Sequence, residues 1–222
     1  RCFRIPARSI HRPGNLAILS AFLESADVNL TLDSVTVKRG SFNLAAHGTF
    51  SEGLHLVSGR VGSGKSTLAL LIAGLLDPDT GVIHREAVSS SMLSLQFPEY
   101  HLTSLTLADE CRSWGLDPDQ ILPVEGFGTQ REVNPLKLSR GELKRFHLAC
   151  VLVKAYDLLL LDEPFSALDC RQKEILCNRI AARDSGITII FTHEREILPP
   201  CTRCWQIRDG ELREQLLKDN EE

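Results

Sequence analysis

Apolar residues come in two patterns along this chain: short unbroken runs, and longer stretches in which they recur at helical spacing. Four consecutive leucines fill residues 158–161, and residues 187–191 are apolar except for one threonine. Strands that are buried on both faces have runs of this kind. Helical spacing occurs at residues 68–76 and over residues 139–154. Buried strands alternating with helices predict an α/β fold with a parallel sheet covered on both faces.

Residues 28–57 follow a different pattern, because polar and apolar side chains alternate there. Alternation at residues 28–37 is followed by the turn-forming sequence Lys38-Arg39-Gly40-Ser41 and by a second strand-like segment at residues 42–50. This pattern predicts an antiparallel sheet laid against the parallel core. A hairpin is expected at Asp209-Gly210, and the charged residues after 211 are expected to form a solvated helix or a frayed end.

Prolines divide the middle of the chain into short pieces. Residues 97–137 contain four of them, which divide the segment into short helical pieces because proline disrupts the interior of a helix. Together with the helix over residues 139–154, this segment predicts a small helical subdomain at approximately residues 97–154. Residues 1–27 are treated as an N-terminal extension of unknown role.

One glycine-rich loop carries the strongest chemical signal. It fits the pattern G-x-x-x-x-G-K-[ST], with a strand-like segment before it and a helical segment after it. Glycines let successive N–H groups point at phosphate oxygens, and the helix that follows adds its positive N-terminal end. Lys65 is expected to reach the β- and γ-phosphates of ATP, and the Ser66 hydroxyl to bind Mg²⁺. The predicted ATP-binding residues are Gly59, Arg60, Val61, Gly62, Ser63, Gly64, Lys65, Ser66 and Thr67.

Two adjacent carboxylates follow the leucine strand. Asp162 and Glu163 stand at the carboxyl end of that strand, where ligands bind in open α/β sheets. Asp162 is suited to hold Mg²⁺, and Glu163 to orient or deprotonate an attacking water. With the phosphate loop present, this pair predicts that bound ATP is hydrolysed.

Bulk composition narrows the possible partners. The chain of 222 residues has 29 acidic and 25 basic residues, a net charge of −4, so no overall field attracts nucleic acid. No apolar run approaches the roughly 18–20 residues needed to span a bilayer, so a membrane role has to come through partners. Seven scattered cysteines favour a reduced, intracellular protein. Cys201 and Cys204 have C-x-x-C spacing, for which two structural thiols are favoured over a metal or redox site.

Further motifs join the phosphate loop and the carboxylate pair in a fixed order. The segment Leu138-Ser139-Arg140-Gly141-Glu142 taken alone is only a capping box at a helix start. Gln96, Ser166-Ala167-Leu168-Asp169 and Thr192-His193-Glu194 complete the set. In order and approximate spacing these elements resemble the ATPases of ABC transporters, from about residue 28 to residue 212.

The resemblance implies a fold and a mode of assembly. It implies a P-loop NTPase (ABC ATPase) core with a parallel sheet, an antiparallel β subdomain and a small helical subdomain, together forming one ATP-binding domain over residues 28–222. Two such domains, either two copies or a related second chain, would clasp two ATP molecules between them. Gln96 would reach Mg²⁺ and the attacking water, His193 the γ-phosphate, and Asp169 the dimer interface. Four signature residues would act on the partner's ATP: Ser139, Arg140, Gly141 and Glu142.

A narrower resemblance concerns the segment after Gln96. Phe97-Pro98-Glu99-Tyr100-His101-Leu102 is similar to the corresponding segment of ATPases in energy-coupling-factor importers of vitamins and transition-metal ions. In that family the acidic residue, here Glu99, contacts the transmembrane coupling subunit. The resemblance therefore implies transmembrane coupling and substrate-binding subunits as partners, a location at the cytoplasmic face of the cell membrane, and no nucleic acid. His101 replaces the glutamine that is usual in that subfamily.

Several departures and alternatives stay open from the sequence. Arg140 stands where the family usually has glycine, and either Arg39 or Phe42 is left to stack on adenine. One alternative function is a soluble ABC-type ATPase that has no transporter. Another is a degenerate partner that binds ATP in a heterodimer without hydrolysing it.

Overall fold

The computed structural model describes residues 28–215, which form one nine-stranded mixed sheet with helices packed on it. The strands are β1 (Asn29–Arg39), β2 (Phe42–Ser51), β3 (Gly53–Gly59), β4 (Thr80–Glu86), β5 (Ser91–Ser94), β6 (Leu158–Asp162), β7 (Ile187–Thr192), β8 (Arg203–Arg208) and β9 (Glu211–Gln215). The α-helices are α1 (Lys65–Ala73), α2 (Leu107–Ser113), α3 (Pro118–Val124), α4 (Arg140–Leu152) and α5 (Cys170–Ala181). Two short 3-10 helices lie at Pro98–His101 and Pro135–Lys137.

The centre of the sheet is parallel and buried on both faces, as predicted. Strands run in the order β4-β1-β2-β9-β8-β3-β7-β6-β5, and the neighbours from β8 to β5 pair in parallel. Every residue of β6 and of β7 is buried. Because these strands are parallel, their carboxyl ends meet along one edge of the sheet, and the site lies there.

The antiparallel strands belong to the same sheet and do not form a second sheet beside it. β1 pairs with β2 and with β4, and β2 joins the rest of the sheet through a single bridge, Ala45 with Glu211 of β9. Strand β1 continues through a bulge between Leu32 and Val35, where Ser34 has φ 52°. The described part of the segment after 211 is strand β9, so the expected solvated helix or frayed end is wrong there; residues 216–222 lie outside the described residues, as do residues 1–27.

Helices α2, α3 and one face of α4 share a separate apolar cluster. It includes Leu107, Leu122, Phe127 and Phe146, all at most 1% exposed. An ion pair of 2.6 Å between Glu125, just after α3, and Arg179 of α5 connects this region with the main core. Within residues 28–215 no helix is both long enough and apolar enough to cross a bilayer.

Candidate active site

The phosphate loop lies between β3 and α1, in the strand–loop–helix context that its sequence requires. Gly64 caps α1 with φ 105°, and a Cβ there would lie 2.6 Å from the ring of Phe42. A residue other than glycine would therefore be both strained and obstructed at this position. The first turn of α1 has no acidic residue, so the positive end of the helix dipole stays available to an anion.

The Lys65 side chain folds back into the loop. It is 6% exposed and donates to the carbonyls of Gly59 (3.0 Å) and Arg60 (3.2 Å). Its ammonium also lies 3.4 Å from Glu163 Oε1. A buried lysine held in this way carries a fixed positive charge at the point where phosphates are expected.

Glu163 is the centre of the polar contacts at the sheet edge. One of its carboxylate oxygens lies 2.8 Å from His193 Nδ1, and the other accepts a hydrogen bond of 3.1 Å from the Thr192 hydroxyl. These contacts arise because β6 and β7 are neighbours in parallel, which brings the residues after both strands together. Glu163 has φ 47°, an uncommon conformation for a residue with a side chain and a frequent sign of a functional position.

Asp162 is buried and only partly hydrogen-bonded. Burial raises the pKa of Asp162, while a hydrogen bond from the Ser66 hydroxyl opposes that rise. Among the described residues, Asp162 Oδ1 and Ser63 Oγ are two of three buried side-chain atoms without a hydrogen-bond partner. A free carboxylate oxygen beside a hydroxyl matches the oxygen ligands that Mg²⁺ prefers, so the donor set fits the ion.

A cavity of about 270 Å³ lies between much of the phosphate loop and the predicted catalytic residues, whereas Gly59, Arg60, Ser63 and Asp162 are not part of its lining. Lys65, Ser66, Gln96, Glu163 and His193 all line it. The signature residues, Asp169 and Glu99 are not part of its lining. The lining thus brings residues of the phosphate loop together with the three predicted catalytic residues.

The lining of the same cavity distinguishes between the two candidates for stacking on adenine. Phe42 is part of its lining, whereas Arg39 is turned toward Asp79, with 3.2 Å between Arg39 Nη1 and Asp79 Oδ1. Of the two candidates for adenine stacking, Phe42 is thus the better placed.

The signature segment forms the start of α4. Ser139 caps the helix in a full capping box with Glu142, as the sequence predicts. Gly141 lies so close to the Ser166–Asp169 segment that a Cβ on it would be 2.7 Å from the Ala167 carbonyl oxygen. Arg140 is exposed, and Asp169 caps α5 through the backbone N–H of Gln172.

Two residues of the site have no role predicted from the sequence: Lys144, and Thr192, which is named there only as part of the Thr192-His193-Glu194 segment. Thr192 is 1% exposed and its role depends on the pairing of β6 with β7, which no local motif reveals. Lys144 is 2% exposed and donates to the backbone carbonyls of Gln96 and Glu163. Burial lowers the pKa of Lys144 to about 8, and the charges of Asp162 and Glu163 oppose that shift. A signal existed, because Lys144 shares its helix face with Leu148 and Val151, which are both buried.

The family match covers more than half of the chain. Residues 47–166 match the family described as ABC transporter. The chain belongs to the ABC transporter family. It is an ATP-binding subunit of an ABC transporter, and its enzymatic activity is the hydrolysis of ATP.

Relatives within the ABC transporter family include importers and an exporter. The thiamine import ATP-binding protein ThiQ of Jannaschia sp. (strain CCS1) is 31% identical, over 82% of this chain and 90% of its own length. The cytochrome c biogenesis ATP-binding export protein CcmA of Nitrosococcus oceani is 33% identical, over 77% of this chain and 88% of its own. The solved structure of cbiO1 from Clostridium perfringens, part of the ABC transporter complex cbiONQ, has a TM-score of 0.65 at 22% identity, over 84% of this chain and 87% of that one. At this identity the likeness concerns the fold alone.

The segment after Gln96 is exposed on this ABC subunit. Glu99 lies in the short 3-10 helix Pro98–His101, between the exposed rings of Phe97 and Tyr100. His101, the departure from the importer pattern, turns inward, and its Nε2 accepts a hydrogen bond of 2.9 Å from the Leu95 N–H. The segment is therefore fixed at its base and polar and aromatic at its surface.

The two cysteines of the C-x-x-C sequence lie side by side. Cys201 and Cys204 are half-buried with their sulfur atoms 2.7 Å apart, and they pack against the apolar cluster around β7 and α5. Within residues 28–215 no group of three or more histidine, cysteine or acidic side chains is arranged to hold a metal ion. Two structural thiols stay the favoured interpretation.

Proposed function

We propose that this chain is the ATP-hydrolysing subunit of an energy-coupling-factor type importer, which takes up vitamins or transition-metal ions. The observation that carries the catalytic part is the position of Glu163, which lies 3.4 Å from the Lys65 ammonium and 2.8 Å from His193 Nδ1 at the carboxyl edge of the sheet. The exposed Glu99 beside Gln96 supports the importer part.

Each predicted site residue of this chain has a task in this proposal. The N–H groups of residues 59–67 and the Lys65 ammonium bind the phosphates. Glu163 takes the proton of the attacking water, and Gln96 orients that water. His193, held at its Nδ1 by Glu163, turns its other ring nitrogen to the γ-phosphate. Ser66, Gln96 and Asp162 would hold Mg²⁺, which neutralises phosphate charge when it is bound.

A second ABC ATPase subunit completes the site. Ser139, Arg140, Gly141 and Glu142 lie outside the cavity of their own chain, so they are free to act on the ATP of the partner subunit. The capped start of α4 supplies oriented N–H groups and a hydroxyl, which stabilise phosphate charge best where water is excluded. Asp169 follows directly after the Ala167 turn that contacts Gly141, and we propose that it lies at the subunit interface.

Transmembrane partners complete the transporter. Glu99 offers an exposed carboxylate on a segment that also exposes the rings of Phe97 and Tyr100, a surface suited to a basic residue on a coupling helix. The chain would then act at the cytoplasmic face of the membrane, held there by transmembrane coupling and substrate-binding subunits. Nucleic acid has no place in this scheme, which agrees with the net charge of −4.

Purification of the complex in detergent tests the assignment. A tagged chain is expected to bring with it a transmembrane coupling protein and a small membrane protein that binds the solute, and vesicles that contain this complex should accumulate the solute when ATP is added. Recovery of the chain without a membrane protein would support a soluble ATPase. Export of the solute from the vesicles would contradict the assigned direction of transport. A complex that does not hydrolyse ATP would indicate a degenerate partner.

A further inference from the structure

Lys144 is the most deeply buried charged side chain near the site that the family motifs leave unused. It lies in the second turn of α4, three residues after Gly141, and 2% of its surface is exposed. Lysines are almost never buried to this extent unless their donors are satisfied. Its position therefore requires specific partners.

Both partners are backbone carbonyls of residues placed in the active site. The Lys144 ammonium donates to the carbonyl of Gln96 and, over 3.3 Å, to that of Glu163. Within residues 28–215, the carboxylate of Glu163 pairs with Lys65 and His193, and Lys144 contacts its carbonyl instead. Lys144 thus does not bind the carboxylate of Glu163 but holds the backbone of that residue.

The backbone of Glu163 needs such support. Its φ of 47° is a strained conformation for a residue with a side chain, and it persists only where neighbours determine it. The carbonyl of Glu163 accepts from Lys144, from the Ser166 hydroxyl (2.9 Å) and from the Ser166 N–H (3.3 Å). Those three donors hold the turn that directs the carboxylate toward Lys65 and His193.

The same face of α4 also holds the segment that contains Gln96. One turn after Lys144, His147 hydrogen-bonds the Ser94 hydroxyl over 3.0 Å. Its ring stacks on His101 with the centroids 4.5 Å apart, and His101 in turn accepts from the Leu95 N–H. Residues 94–96 are thus connected with α4 through Lys144, His147 and His101. Of these three side chains, only Lys144 also contacts Glu163.

We infer that Lys144 is a positioning residue that locks Gln96 and Glu163 together in their catalytic arrangement and ties both to the helix that begins with the signature segment. This inference rests on the proposed roles of Gln96 and Glu163. A displacement of the signature end of α4 by a partner subunit would be passed to both residues through this one ammonium.

Three variants of the full-length chain in its transporter complex test the inference. Lys144→Met removes the hydrogen-bond donors but keeps a side chain of similar length, and Lys144→Arg keeps both the charge and the donors. Leu143→Met is the control, because it changes a buried residue of the same helix that packs in the apolar cluster shared by α2, α3 and α4. Because misplacement of catalytic groups by about 1 Å costs up to about 100-fold in rate, Lys144→Met should lower kcat by about 10- to 100-fold. Its KM for MgATP should stay within about threefold, since the phosphate loop is untouched.

The comparison among variants separates positioning from a merely structural role. Lys144→Arg should recover part of the lost kcat, and Leu143→Met should match the wild type. Three results would each overturn the inference: a wild-type kcat in Lys144→Met, a change in Lys144→Met that affects only KM, or an equal fall of kcat in Leu143→Met. If Lys144→Met does not fold, Lys144→Gln, which keeps an amide donor, should show an intermediate kcat, and a wild-type kcat there would also overturn it.

The controls keep this inference distinct from the proposed function. A wild-type complex that does not hydrolyse ATP, or a Glu163→Gln variant that does, contradicts the proposed catalytic roles themselves. An active wild type, an inactive Glu163→Gln variant and a fully active Lys144→Met variant contradict the role of Lys144 alone.

Discussion

At the scale of single residues, the site is built around one glutamate in an uncommon backbone conformation. Glu163 receives contacts from two separate segments: Lys65 in the phosphate loop, and the consecutive residues Thr192 and His193 at the end of β7. Such a concentration of polar contacts on one side chain is expected where a group must be held in one orientation for chemistry.

Glu163→Gln should nearly abolish turnover while ATP still binds. The amide can keep the Thr192 hydrogen bond but cannot accept a proton, and a general base contributes about 100- to 10,000-fold. Steady-state phosphate release measures the loss, and a fluorescent nucleotide measures binding. Glu125→Gln makes the same chemical change at another buried glutamate outside the cavity lining, where the amide oxygen can still accept from Arg179, and should keep turnover near that of the wild type. Normal hydrolysis by Glu163→Gln would refute the assigned role.

Local sequence predicts the residues whose role depends on a motif and misses those whose role depends on tertiary pairing. Lys65 and Asp162 are specified by their own neighbours along the chain, and they lie where the strand–loop–helix pattern puts them. The contacts of Thr192 and Lys144 with Glu163 became visible only in the structure, because the first requires the β6–β7 pairing and the second requires two carbonyls that are 48 and 19 residues away.

At the scale of secondary-structure elements, α4 combines tasks that its sequence suggests only in part. Its capping box starts the helix, and its apolar residues pack in two clusters. Between them lies a polar face with Lys144 and His147, which contacts the end of β5 and the segment after it. Helical spacing predicts the element within two residues at each end but does not reveal this face.

Acidification should destabilise the protein through this face of α4. Burial, together with His101 and Lys144, lowers the pKa of His147 to about 3 from its ordinary value of 6.5, and burial lowers the pKa of His101 as well. The unfolded chain therefore takes up protons below pH 6.5 that the folded chain does not, so this stability is fully present above pH 6.5 and is lost toward pH 3. Each fully shifted histidine contributes a slope of about 1.4 kcal/mol per pH unit.

Urea unfolding at several pH values measures that slope. In His147→Gln, the amide can still bond to Ser94 and does not titrate, so the free energy of unfolding should fall less steeply between pH 6.5 and 4.5 than in the wild type. Parallel slopes for the two proteins would contradict the assignment of the pH dependence to His147.

At the scale of the whole molecule, one continuous sheet connects the parallel core with the antiparallel strands. The sequence predicts the two parts correctly but not their union, because the connection is a single bridge between β2 and β9. Pairing of this kind depends on the arrangement of distant strands, whereas the alternating pattern of residues 28–57 reports only local exposure.

Glu99→Arg should uncouple the ATPase from the membrane partner. Glu99 is exposed and lies outside the cavity lining, so hydrolysis by the isolated subunit is expected to be unchanged, whereas ATP-driven uptake by the complex should be lost through charge repulsion. Glu86→Arg, on an exposed position of β4, is the matched control and should leave uptake intact. Normal uptake by Glu99→Arg would remove Glu99 from the docking surface.

ATP-dependent association of Glu163→Gln is the most direct test of the central claim, that two ATPase subunits clasp ATP between them. Sedimentation velocity of this variant, alone or with a companion ATPase subunit from the same complex, should show the mass of one chain without nucleotide and that of a pair with MgATP. Lys65→Ala, which loses the phosphate-binding ammonium, should stay single under both conditions. If the Glu163→Gln variant binds ATP to saturation and still sediments as single chains, with and without the companion, the account is contradicted.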